Sequence, residues 1–70
     1  MLQDQEHLEL SKRHLAEAAM RVDRQQQLIH RLEAHGHATA LAEELLASLV
    51  ETKRQMQTHH DYLENRTKEV

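Results

Sequence analysis

The stretch Leu28–Val50, LIHRLEAHGHATALAEELLASLV, holds the single glycine of the chain and most of its large aliphatic residues. Its left part has the spacing of a helix that is ending, and its right part that of a helix beginning. Between them, His35-Gly36-His37-Ala38-Thr39 is the one break that the pattern offers. Glycine takes up the left-handed conformation that closes a helix, so Gly36 is the expected residue just past the first helix. Thr39 is the expected N-cap of the second, with Glu43 and Glu44 favourably near the positive end of its dipole. The predicted fold is all-α: an antiparallel two-helix hairpin, coiled-coil-like, that dimerises into a four-helix bundle.

Working outward, the first arm carries Leu8, Leu15, Val22 and Ile29 in one lane repeating every seven residues. Three residues on lies a small or polar companion lane, Ser11, Ala18, Gln25 and Leu32. So narrow a stripe suits a coiled-coil seam better than the broad face of a globular helix. Asp4 is placed to cap this arm, and Glu9–Arg13, Arg13–Glu17 and Glu17–Arg21 are spaced as i,i+4 ion pairs. In the second arm the lane is Ala42, Leu49, Met56 and Leu63, with Leu45, Thr52, His59 and Arg66 as companions. The expected seam is therefore Leu8, Leu15, Val22, Ile29 and Leu32 against Leu45, Leu49, Met56 and Leu63. A mirror about His37 sets Ile29 against Leu45, Ala18 against Met56, Leu15 against His59 and Ser11 against Leu63. The expected organisation is one domain over 1–70, with helices at 4–35 and 40–65, a turn at 36–39 and a frayed tail at 66–70.

Composition agrees with long helices. Among 70 residues there is no proline and no cysteine, one glycine, and Tyr62 as the lone aromatic. Chains this short rarely bury enough apolar surface alone. Disulfides are excluded, and Leu28, Leu41, Leu46 and Val50 fall outside both lanes, so a second copy is expected to cover them. Nine Lys and Arg face twelve Asp and Glu, mixed along the chain. No basic stripe for nucleic acid is visible in that order. The start, MLQDQEHLEL, lacks the signature of a signal peptide, and no apolar run is long enough to span a membrane. A cytoplasmic protein is the expectation.

The segment Arg24–Leu63 resembles a group of small uncharacterised bacterial proteins that form helical hairpins. The residues that carry the resemblance are Leu28, Ile29, Arg31, Leu32 and Glu33, then Gly36-His37, Thr39, and Ala42, Leu45 and Leu46. It implies the hairpin and brings no activity, cofactor or catalytic residue.

Histidine is the one chemically unusual residue, with seven copies. His14, His59, His60 and Glu64 are the candidate metal ligands, because His60 and Glu64 share a helix face and His14 can approach His59 across the seam. They lack a converging set of three or four and any H-E-x-x-H, so no metal and no cofactor is expected. Alternatively, the histidines make the bundle's outer half loosen near pH 5–6. Catalysis is not expected: Ser11 and Ser48 lie mid-helix without an evident base, and one glycine builds no phosphate loop. Two functional classes stay open. One is a self-associating structural or interaction module; the other is an adaptor whose stripe receives an amphipathic helix of a partner protein.

Overall fold

The computed structural model of the chain describes residues 2–68, with side-chain detail from residue 5 onward. It contains α1, Leu2–Ala34, and α2, Ala40–Lys68, packed against each other along a rod of 54 × 14 × 13 Å. Neither helix contains glycine or proline. Ala, Leu, Glu, Gln and Arg predominate, and these lose little side-chain freedom in a helix. Arg31 lies in the last turn of α1, Glu43 in the first turn of α2, and Arg66 and Lys68 in its last, each favourable to the local dipole.

Gly36 closes α1 with φ of 72°. The His37 amide donates to the Leu32 carbonyl at 2.8 Å and the Gly36 amide to that of Glu33 at 3.1 Å. This is the Schellman pair of bonds, and it satisfies carbonyls that the helix end would orphan. The His35 ring adds a bond, its Nδ1–H donating to the Arg31 carbonyl at 2.8 Å. The Thr39 carbonyl accepts from the Glu43 amide at 2.8 Å, so Thr39 occupies the N-cap position of α2.

Three boundaries differ from expectation. Helix α1 already includes Leu2, so Asp4 lies inside the helix and not at its cap; it ends at Ala34, because the His35 amide is shared between the carbonyls of Arg31 and Leu32. Helix α2 runs on past residue 65 to Lys68, where a Glu64–Lys68 ion pair and a Thr67 hydroxyl bond to the Glu64 carbonyl brace its last turn. The part of the expected tail at 69–70 lies outside the described residues. Glu9 pairs with Lys12, one turn on, and not with Arg13.

The seam in α1 is the expected one. Ser11, Ala18, Gln25 and Ile29 are buried, with Leu8, Leu15, Val22 and Leu32 half-buried. In α2 the lane Ala42, Leu49, Met56 and Leu63 is also inside, but its companions are Leu46, Lys53, His60 and Thr67. Leu45, Thr52, His59 and Arg66 are exposed. Leu45 therefore leaves the predicted seam and Leu46 leaves the predicted outer stripe.

The cause is a shift in register. Ser11 bonds to His60, where the mirror about His37 sets it against Leu63. Carried along the seven-residue repeat, the same pairing brings Ala18 level with Lys53, Gln25 with Leu46 and Leu32 with Thr39. In the other lanes Leu15 comes level with Met56 and Val22 with Leu49. The bond from His37 back to Leu32 folds the connection down along α1, so α2 begins level with Leu32 and not with the end of α1. The small and polar lane of α1 thereby meets the lane Leu46, Lys53 and His60 of α2.

Candidate functional site: a polar latch and an open edge

At the end remote from the turn, the seam is held by a buried polar network. Both Ser11 and His60 are buried. The Ser11 hydroxyl donates to the Leu8 carbonyl at 2.9 Å and lies 2.8 Å from His60 Nδ1. His60 Nε2 is 3.2 Å from Glu64 Oε2, and Glu64 Oε1 accepts from Lys68 at 3.2 Å. Two proton arrangements close this chain. With the imidazole charged, both ring nitrogens donate, one to Ser11 and one to Glu64. With it neutral, Nε2–H donates to Glu64 and the Ser11 hydroxyl turns from Leu8 to Nδ1. The Lys68 hydrogen bond, then the Lys68 charge, and lastly His60 hold the Glu64 carboxyl below its usual value. Near the turn, buried Gln25 performs the matching task, its Nε2 donating to the Ala42 carbonyl at 2.9 Å.

The candidate ligands fall into two separate pairs. His14 and His59 both line a pair of shallow grooves, about 300 and 440 Å³, on one side of the seam. His60 instead occupies the seam and bonds to Ser11 and Glu64. Among the described residues, no three His, Cys, Asp or Glu side chains are grouped to hold a metal ion. Ser11 does have an imidazole partner, which sequence reasoning missed by assigning His59 to the seam. Its hydroxyl is buried in the seam and donates to the Leu8 carbonyl.

The four residues expected to form one outer stripe part company. Leu46 is half-buried beside Ile29 in a groove that also contains Glu33 and Glu43. Val50 lies on that same side, with Lys53, Arg54 and Gln57. Leu28 and Leu41 lie on the opposite side, where Leu45 joins them. In heptad terms, this second side is the one on which the g positions of both antiparallel helices meet. It is called the open edge below. Leu41 is 82% exposed and Leu45 51%. At the remote end of the same edge, Leu10 is 42% exposed and Tyr62 57%, with the Arg66 guanidinium 5.9 Å over the Tyr62 ring.

Charge, mixed along the chain, is sorted across the hairpin. Among the described residues, the open edge carries Arg21, Arg24, Arg31 and Arg66 against one carboxylate, Glu17. The other side carries Glu9, Asp23, Glu33, Glu43, Asp61 and Glu64 against Lys12, Arg54 and Lys68. This separation arises only when a seven-residue repeat is wrapped on the seam, which is why linear order conceals it.

Among the described residues, no helix is long and apolar enough to cross a membrane. No family model matches the chain, and neither a curated protein nor a solved structure does.

Proposed function

We propose that the chain is a non-enzymatic interaction module that works as a pair of hairpins, a second copy closing a four-helix bundle over the open edge. The observation that carries this reading is the exposure of Leu41 and Leu45 beside Leu28 on one edge, in a chain with no fully buried described side chain. Two helices bury one stripe each, and among the described residues the buried apolar set is Ala18, Ile29 and Leu63. Covering each further leucine contributes about 1.5–3 kcal/mol, a large share of what a domain this small commands. Light scattering at neutral pH, with and without a chelator, tests it. A mass of two chains, unchanged by chelator, is expected; a folded monomer refutes the paired module.

The separation of charge favours one second reading. An acidic amphipathic helix from another protein fits an edge that joins leucines to Arg21, Arg24 and Arg31. In that case the protein is a monomeric adaptor with a vacant edge, so the same mass measurement separates the two.

A further inference from the structure

The geometry points to an end-for-end second copy: two open edges pair antiparallel about a two-fold axis at the level of Ala19 and Thr52. This rests on the paired-hairpin reading and adds the orientation and register of the partner.

The open edge is apolar at both ends and polar between them. Leu28, Leu41 and Leu45 lie at the turn end; Leu10 and Tyr62 lie at the remote end, level with each other once Ser11 and His60 are aligned. Among the described residues, the exposed large apolar side chains that lie elsewhere are Met20 and Val50. At ~1.5 Å per residue the two clusters are about 27 Å apart. Turning one copy end for end brings the turn leucines of each onto Leu10 and Tyr62 of the other. The midpoint between Leu10 and Leu28 on α1 is Ala19. The midpoint between Glu17 and Arg21 is also Ala19. The operation that matches the apolar clusters therefore sets Glu17 of each copy against Arg21 of the other. Apolar and charged groups select one axis independently, and a two-fold pairing closes on itself, leaving no edge to propagate.

The parallel alternative, turn end on turn end, lays α1 of one copy across α2 of the other, so it too matches apolar groups, turn leucines on turn leucines and Leu10 on Tyr62. It sets Glu17 and Arg21 opposite the uncharged Ser48, Thr52 and Gln55 of α2, so the charge match belongs to the end-for-end pair. In the end-for-end pair the remaining cations reach solvent along the rim on their long stems.

The chain has no cysteine, so single cysteines report geometry cleanly. Ser48→Cys and Gln55→Cys variants change exposed polar positions on the open edge and spare the leucines. In the end-for-end register, position 48 of one copy comes within one residue of the level of position 55 of the other. Mixed under mild oxidation, the two variants are expected to give predominantly the 48–55 disulfide, seen by intact mass. Predominance of 48–48 or 55–55 products overturns the register. A wild-type dimer that gives no cross-link overturns it too, placing the pairing on another face. A wild-type monomer by light scattering removes the paired module itself, which is a separate failure. As a second measurement, Glu17→Arg and Arg21→Glu should each weaken the dimer severalfold, and the double variant should recover it. Additive losses in the double variant also overturn the register.

Discussion

The Ser11 hydroxyl lies 2.8 Å from His60 Nδ1 although 49 residues separate them in sequence, and this contact sets the register of the hairpin. Both groups are buried, and Ser11 is the partner of His60 Nδ1, while the hydroxyl also donates to the Leu8 carbonyl. Ser11→Ala leaves a buried ring nitrogen unsatisfied and is expected to cost about 1–3 kcal/mol. Replacing both at once, Ser11→Ala with His60→Leu, removes the unmet polar group and is expected to recover most of that loss. Urea unfolding followed by helix signal measures both; a double variant as unstable as the sum of the two single ones contradicts the account.

Gly36 has φ of 72°, and a Cβ built there meets nothing within 4 Å. The penalty for a side chain is therefore backbone strain alone. Gly36→Ala is expected to cost about 1–2 kcal/mol, the usual left-handed penalty for an L-residue. Gly36→Asn should cost less, because asparagine enters that region more readily. Thermal melts that rank Asn below Ala would show that steric crowding, and not φ, governs the turn.

The turn was readable because one glycine followed by a threonine cap in an otherwise unbroken helical composition permits few alternatives. The seam of α1 was readable for a similar reason: its aliphatic residues repeat every seven positions with few rivals. In α2 two companion lanes begin with adjacent leucines, Leu45 and Leu46, and the aliphatic pattern does not separate them. What separates them is the fold-back of His37 onto Leu32, which sets the level at which α2 starts, together with the fit of His60 to Ser11. That is a three-dimensional fact with no linear signature. The same slip assigned His59 to the seam and merged Leu28 and Leu41 with Val50, residues that the hairpin places on opposite sides.

Adjacent leucines now have opposite roles, and substitution should show it. Leu45→Glu alters an exposed position. It is expected to weaken association by about 3 kcal/mol across a symmetric pair, each copy losing one leucine contact. Leu46→Glu introduces a carboxylate beside Ile29 in the seam and is expected to reduce helicity itself. Sedimentation equilibrium with circular dichroism distinguishes them. Equal loss of helicity in both variants would mean that the seam has been assigned to the wrong lane.

Glu64 gives the remote end an acid limit. Its carboxyl is held below the ordinary value of 4.5, first by the hydrogen bond from Lys68, then by the Lys68 charge and more weakly by His60. A carboxyl whose folded value is depressed binds fewer protons in the folded state than in the unfolded one. Its contribution is fully present above the unfolded value and is lost as pH falls through the folded one. The last turns of α2 should hold their helical signal from pH 7 to about 5 and loosen below about 4.5. Solvent screening keeps the effect small, because the carboxyl is open to water. Glu64→Gln should remove the acid step while leaving the Ser11–His60 contact in place. Amide exchange of residues 60–68 against pH measures it. An acid step of the same size and midpoint in the Glu64→Gln variant would assign that step to another group.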